Sequence, residues 1–110
     1  MNRKTIYIAG PIRGKADSNL VAFGDAHELL EKQGWHVVNP FDITLAFGMP
    51  SEVQSNPRLL RAVMAAELAA IPHLDAIYLL KGWERSEGAR AELAVALAHG
   101  KQILMEGAEE

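Results

Sequence analysis

Four short runs of apolar, strand-forming residues are spaced along the chain, with helical patterns between them. The runs are residues 5–9 (TIYIA), 35–38 (WHVV), 76–80 (AIYLL) and 102–105 (QILM). The run at residues 76–80 is apolar throughout, which is typical of a central parallel strand. Strands that alternate with helices indicate a parallel sheet covered on both sides. The pattern therefore predicts an α/β fold with a three-layer, doubly wound parallel sheet of four to five strands.

Three helical patterns lie between these runs, at residues 17–33, 57–71 and 86–99. Asp17 or Ser18 is expected to cap the first helix. Asn56 precedes Pro57, an arrangement favoured at a helix start. Ser86 offers its hydroxyl as the cap of the last helix, at the end of a polar turn.

Residues 41–56 carry no long periodic pattern. Residues 42–47 are compatible with a helical turn, which the glycine and proline of residues 48–50 interrupt. A long connection in a compact domain is often a lid or a binding loop. A merely irregular crossover is an equally good interpretation.

Composition narrows the classes of function. The 110 residues suffice for one domain, residues 1–110. A net charge of −3 without a basic run argues against a nucleic acid polymer as partner. The absence of cysteine excludes disulfides and thiolate metal sites, and it suits the cytoplasm. No apolar run is long enough for a membrane span and no histidine pair has metal spacing, so we expect neither a membrane partner, a metal nor a cofactor.

Two glutamates occupy unusual positions. Glu92 is the only acid in the body of the last helix, and the residues one turn away are small or apolar. Glu67 falls within the apolar stripe of the helix at residues 57–71, where an unpaired buried carboxylate is strongly destabilising. Glu92 is either a half-exposed helix former or a functional carboxylate. Glu67 is either functional, paired with Arg13 or Arg90, or turned towards the helix edge.

The turn after the first strand is glycine-rich, with the sequence Gly10-Pro11-Ile12-Arg13-Gly14. Exposed backbone amides and a guanidinium with bidentate geometry are suited to phosphate. The turn matches neither GxGxxG nor the P-loop, and a plain turn with a surface arginine is an equally good interpretation. Because the carboxyl ends of parallel strands share one edge of a sheet, we expect this turn to lie close to Ser86.

These segments resemble the nucleoside 2-deoxyribosyltransferase superfamily. The resemblance rests on YIAGPIRG at residues 7–14, on G-x-x-V-x-N-P at residues 34–40, and on LDAIYLLKGWERSEGARAELAVALAHGK at residues 74–101. It is greatest to the small phage and bacterial members of unassigned function, and the chain is also similar to the 2′-deoxynucleoside 5′-phosphate N-hydrolases. The resemblance implies a flavodoxin-like fold and cleavage or transfer at the N-glycosidic bond of a nucleoside or its 5′-monophosphate.

The resemblance also implies roles for individual residues. Glu92, in the sequence ELAVA, matches the nucleophilic glutamate of the superfamily. Ser86 stands six residues earlier, where the hydrolases carry serine for the phosphate and the transferases carry an acid. Glu67 stands eight residues before Asp75, at the position of the second acid, which is usually aspartate. The turn at residues 10–14 resembles the phosphate loop of the hydrolases, with proline in place of serine.

The predicted site therefore has Glu92 and Glu67 as catalytic residues. The predicted substrate-binding and phosphate-binding residues are Gly10, Pro11, Ile12, Arg13, Gly14, Trp83, Ser86 and Gly88. Trp83 either stacks on a base or covers the core. The group that accepts the sugar is either water, which gives a hydrolase, or a second base, which gives a transferase.

Two other classes of function stay open. The first is a non-catalytic module that binds a nucleotide or a sugar phosphate, which the proline at position 11 and the glutamate at position 67 favour. The second is a structural or interaction protein, with the alanine-rich last helix at an interface. That helix is apolar on so many sides that we expect at least a homodimer.

Overall fold

The computed structural model describes residues 3–108 and has a four-stranded, all-parallel sheet in the order β2-β1-β3-β4. The strands are β1 (Thr5–Ala9), β2 (His36–Val38), β3 (Ala76–Leu79) and β4 (Gln102–Met105). Trp35 and Leu80, which the sequence pattern placed in strands, lie just outside them. The predicted α/β class, with helices on both faces of a parallel sheet, is confirmed.

Five α-helices connect and cover the strands. They are α1 (Leu20–Lys32), α2 (Pro40–Leu45), α3 (Pro50–Ser55), α4 (Pro57–Ala70) and α5 (Glu87–Ala98). The start of α4 is as predicted, because the side chain of Asn56 accepts hydrogen bonds from the backbone amides of Arg58 and Leu59. No helix within residues 3–108 has the length and apolar character needed to cross a bilayer.

Alternation along β1 divides the core into two layers. Ile6 and Ile8 pack with Phe23 and Leu30 of α1 on one face of the sheet. Tyr7 and Ala9 point to the opposite face and pack with residues of α5. Successive side chains of a strand point to opposite faces, so this register places the phenol of Tyr7 on the α5 side of the sheet.

The start of α1 differs from the prediction. Asp17, Ser18 and Asn19 all have positive φ angles (49°, 56° and 64°), so neither Asp17 nor Ser18 has the extended backbone of a helix cap. The helix begins only at Leu20. The Asn19 side chain instead donates a hydrogen bond to the carbonyl oxygen of Pro11, at 2.9 Å. A segment predicted to begin a helix therefore supports the glycine-rich turn.

The connection at residues 41–56 is largely helical. Residues 42–45 of the expected helical turn are part of α2, and residues 46 and 47 follow it as a turn. Asn39 caps α2 through a 3.0 Å hydrogen bond from the amide of Phe41. The second helix, α3, was not expected. Helices of six residues are too short to show a period or to be stable alone, and they form here because Phe41 and Val53 are buried.

Candidate active site

A cavity of about 400 Å³ lies at the carboxyl edge of the sheet. Its lining includes the turn after β1 (residues 10–13) and the segment from Arg85 to Ala89, which we call the polar end. Side chains of α2, α3 and α4, which we call the apolar end, complete the lining together with Glu67 and Glu92. The cavity therefore lies where ligands bind in open parallel sheets.

Glu92 is buried in α5, with 7% of its surface exposed, and it receives a hydrogen bond from β1. The hydroxyl of Tyr7 donates to Oε2 of Glu92 at 2.7 Å. Burial, followed by the charges of Glu92 and Glu67, raises the pKa of Tyr7 well above its usual value. The phenol therefore stays protonated and remains a donor to the carboxylate.

Glu67 is equally buried, at 7% exposure, and its carboxyl group forms a hydrogen bond with that of Glu92. The suggested ion pairs with Arg13 or Arg90 do not form, since the two ion pairs found within residues 3–108 join His27 to Glu31 and Lys32 to Glu28. Nor is Glu67 turned out to the helix edge. Two buried acids thus meet without a cation, which requires them to retain a proton between them.

The two carboxyl groups have elevated pKa values. Burial raises the pKa of Glu67 to about 7, while the hydrogen bond from Glu92 lowers it. Burial and then the neighbouring Glu67 raise the pKa of Glu92 well above its usual value, and the hydrogen bond from Tyr7 acts in the opposite direction. Because burial disfavours charge on both groups, the pair retains a proton that is shared through the hydrogen bond between the two carboxyl groups.

The polar end of the cavity is built by two turns in close contact. A Cβ atom at Gly10 would lie 2.7 Å from Cβ of Leu80, and one at Gly82 would lie 3.3 Å from Cγ of Pro11. Glycine at these positions allows the turns after β1 and β3 to pack together. As a result Arg13 and Ser86 line the same cavity, as the topology predicted.

Ser86 caps α5, as expected, by accepting a 3.1 Å hydrogen bond from the amide of Ala89 to its Oγ. Its hydroxyl proton remains available for a ligand. Gly88 in the first turn of the helix contributes no side chain, which leaves room in front of Glu92 one turn later. Amides at the start of α5 and the guanidinium of Arg13 suit this end of the cavity to an anion.

The part of the lining supplied by α2, α3 and α4 is mostly apolar. Its walls include Phe41, Val53, Leu60, Val63 and Met64. The polar groups there are the hydroxyl of Thr44, which donates to the carbonyl of Pro40 at 3.1 Å, and the amide of Gln54. A ligand with an anion at one end and a flat apolar group at the other would match this division.

Most of the predicted site residues line the cavity. Gly10, Pro11, Ile12, Arg13, Glu67, Ser86, Gly88 and Glu92 do so. Gly14 and Trp83 do not. Trp83 is half-buried and packs against the core layer of Tyr7 and Ala9, so the interpretation that it covers the core holds here.

Tyr7 and the apolar end of the cavity were missed by sequence reasoning. The sequence did contain a signal for Tyr7. A tyrosine in a wholly buried strand needs a hydrogen-bond partner for its hydroxyl, and Glu92 was an acid with no partner assigned to it. The residues of α2 and α3 gave no comparable signal, because their segment has no period. Arg85 also lines the cavity and was counted only as part of a polar turn.

Comparison with known proteins identifies the family of this chain. A search of curated protein sequences found no match. The family model described as a domain of unknown function (DUF4406) matches residues 4–105, which include every element of the sheet and every residue of the cavity. The chain therefore belongs to the DUF4406 family.

Proposed function

We propose that this protein cleaves the N-glycosidic bond of a nucleoside 5′-monophosphate, with Glu92 as the nucleophile. The observation that carries the proposal is the buried pair of Glu92 and Glu67, hydrogen-bonded to each other and free of any cation within residues 3–108. Paired titratable carboxyls in a cavity, with elevated pKa values, are typical of acid and nucleophile roles at a sugar.

In the first step an oxygen of Glu92 attacks the anomeric carbon as its bond to the base nitrogen breaks. The bond electrons pass to the base, which takes a proton from the carboxyl group of Glu67. A covalent ester between Glu92 and the sugar results, and the base departs neutral. Retaining glycosidases divide a difficult displacement into two easier ones in the same way.

Before that step the proton that the pair retains has to lie on Glu67. The hydrogen bond between the two carboxyl groups gives it a path to Glu67 when substrate fills the cavity. Glu92 is then left ionised, with the hydroxyl of Tyr7 as its remaining donor. The transfer produces the nucleophile and the general acid together, and no group outside the pair is needed.

In the second step a water or a second base attacks the anomeric carbon. Glu67, now ionised, takes the proton of that acceptor, and the ester bond to Glu92 breaks to restore its carboxylate. Water as acceptor makes the protein a hydrolase and a second base makes it a transferase. Ser86 in place of an acid favours a 5′-phosphate and so the hydrolase.

The phosphate would bind at the polar end of the cavity. Arg13 supplies a charge-assisted, bidentate contact, Ser86 supplies a hydroxyl, and the free amides of α5 supply further donors. The base would extend between the apolar side chains of α2 and α4. Binding at both ends fixes the sugar between them, beside the two carboxyls, and so orients the anomeric carbon.

The test is incubation with a panel of deoxynucleoside and ribonucleoside monophosphates, followed by chromatography for free base. We expect release of base by the native protein and loss of at least three orders of magnitude in Glu92→Gln, which keeps the volume and the contact with Tyr7. Glu84→Gln, at an exposed position outside the cavity, is the matched control. Tight binding without release would instead identify a non-catalytic nucleotide-binding module.

The protein would act as a homodimer in the cytoplasm. The outward side of α5 carries Ala94, Leu97 and Ala98, and 60% of the surface of Leu97 is exposed. An apolar helix face of this kind is suited to a second copy of the chain. Light scattering at micromolar concentration tests this, and a monomer would contradict it.

A further inference from the structure

A second, more open cavity of about 600 Å³ adjoins the first. It lies between α3 and the segment that precedes α1. Phe41, Pro50 and Gln54 line both cavities, so these residues form the wall between them. All three belong to α2 and α3, which also supply part of the apolar end of the first cavity.

The lining of the second cavity combines four apolar residues with three serines, Asp17 and Gln54. Its apolar residues are Leu20, Phe41, Met49 and Pro50, and Asp17 is its only ionisable residue. Leu20 and Met49 have 54% and 59% of their surface exposed, so the cavity leaves apolar area uncovered. The lining contains no lysine or arginine, which makes it unsuited to a phosphate.

The wall consists of side chains. Gln54 is held across it by one hydrogen bond, in which its Nε2 donates to Oγ of Ser18 at 3.0 Å. Ser18 is one of three consecutive residues with positive φ, so this contact supports a sparsely populated backbone conformation. A rotation of the Gln54 side chain would break this hydrogen bond and displace one of the three residues that separate the two cavities.

We propose that the second cavity accommodates a linear, largely apolar substituent on the base of the substrate. The inference rests on the proposed function, since it takes the base to lie at the apolar end of the first cavity. From there a substituent on the base would reach the side chains of Phe41, Pro50 and Gln54, which also line the second cavity. The substrate class is then a nucleotide with an alkylated base rather than one of the common bases.

The experiment uses two series of deoxynucleoside monophosphates. One carries methyl to hexyl chains on the exocyclic amine of adenine, and the other carries the same chains on C5 of uracil. In the series that points into the cavity we expect kcat/KM to rise about threefold for each methylene until the chain fills it, which is less than the gain of about fourfold for full burial because the cavity is open. The same series is titrated by calorimetry as a measure of binding alone.

Met49→Ser tests the cavity directly. Serine is favourable at the cap position that Met49 occupies before α3, so the helix is retained while the apolar contact is removed. We expect the gain per methylene to fall to about twofold or less and the unsubstituted nucleotide to be unaffected. Met105→Ser, an exposed methionine at the end of β4, is the matched control and should change neither.

The outcomes separate the two proposals. Cleavage of the unsubstituted nucleotides with flat or falling kcat/KM along both series overturns the second-cavity proposal and leaves the proposed function intact. Affinity that rises with chain length and drops in Met49→Ser, without any release of base, supports the second cavity and overturns the enzymatic function. Affinity that is independent of chain length overturns the second-cavity proposal whether or not base is released.

Discussion

The hydroxyl of Tyr7 in the central strand β1 lies 2.7 Å from Oε2 of Glu92 in α5, 85 residues away. Tyr7→Phe removes this donor from the proposed nucleophile. Hydrogen bonds to charged groups contribute about 1.5–3 kcal/mol, so we expect kcat to fall about 10-fold to 100-fold with KM little changed. The hydrogen bond from Tyr7 lowers the pKa of Glu92, so its loss should also move the rise in activity that follows ionisation of the Glu67–Glu92 pair to higher pH. Steady-state kinetics over a pH range measures both.

Tyr78→Phe is the control for that variant. Tyr78 is also fully buried, in the adjacent strand β3, but it packs in the core layer of α1 on the opposite face of the sheet. We expect no shift of the pH profile in this variant. A Tyr7→Phe protein with the pH profile of the native chain would mean that the phenol only fills space.

Glu67→Gln should stabilise the fold at high pH. The pKa of Glu67 is raised from 4.5 to about 7, so its contribution to stability is full below pH 4.5 and is lost as the pH rises through about 7. Glutamine cannot ionise, and the variant should gain up to about 3 kcal/mol over the native protein at pH 8. The gain should fall by more than half at pH 5. Urea unfolding at both values measures it, with Glu84→Gln as an exposed control that stays within about 0.5 kcal/mol.

The rate should depend on pH through the same pair. Cleavage requires one carboxylate and one carboxyl group, and the first of the two to ionise, Glu67, has a pKa of about 7. We therefore expect kcat/KM to fall about tenfold for each pH unit below 7, as the pair becomes fully protonated. Above pH 7 it should level off and then fall when the second proton leaves. A rate independent of pH between 5 and 8 would exclude this pair from the reaction.

Arg13→Gln separates phosphate from nucleoside recognition. Loss of the guanidinium should raise KM for a nucleoside monophosphate about 10-fold to 100-fold, since charge-assisted hydrogen bonds contribute about 1.5–3 kcal/mol. The corresponding nucleoside, which lacks the phosphate, should be cleaved at the same rate by the variant and by the native protein. Arg90→Gln, an exposed arginine of α5 outside the cavity lining, is the matched control. Equal losses for nucleoside and nucleotide would place Arg13 outside the phosphate site.

Gly10 and Gly24 should respond oppositely to substitution by alanine. A Cβ at Gly10 would lie within 2.8 Å of two side-chain atoms of Leu80, so Gly10→Ala should destabilise the fold by about 1–3 kcal/mol. Gly24 lies within α1, where a Cβ meets no atom within 4 Å, and Gly24→Ala should stabilise it by about 0.5–1 kcal/mol. Thermal unfolding measures both. Similar midpoints would show that the two turns after β1 and β3 separate easily.

The parts of the fold that could be predicted from sequence are those with a strong local signal. Ser86 and Asn56 cap their helices as expected, because a short polar side chain before a helical pattern has few other roles. Asp17 and Ser18 carry the same chemistry but adopt positive φ, since Asn19 and Gln54 draw that segment towards the turn after β1 and towards α3. Tertiary contacts of this kind leave no trace in a local pattern.

The candidate site was predicted in its charged half only. Glu67 stood out because it interrupts an apolar stripe, and Glu92 because its neighbours are small. Their contact with each other joins α4 to α5, and no spacing along the chain encodes it. The apolar half combines residues of α4, which was predicted, with residues of α2 and α3, whose six residues each are too few for a helical period.

The anion end and the proposed nucleophile are carried by one helix. Gly88 and Glu92 lie one turn apart in α5, so about 6 Å of rise separates them, maintained by backbone hydrogen bonds rather than by a loop. α5 thus fixes the distance between the anion site and the proposed nucleophile, and this distance sets the length of substrate between its phosphate and its anomeric carbon. One residue inserted between Gly88 and Glu92 would swing the carboxyl by about 100° out of the cavity. A substrate of a different length would therefore have to be accommodated by the walls of the cavity and not by α5.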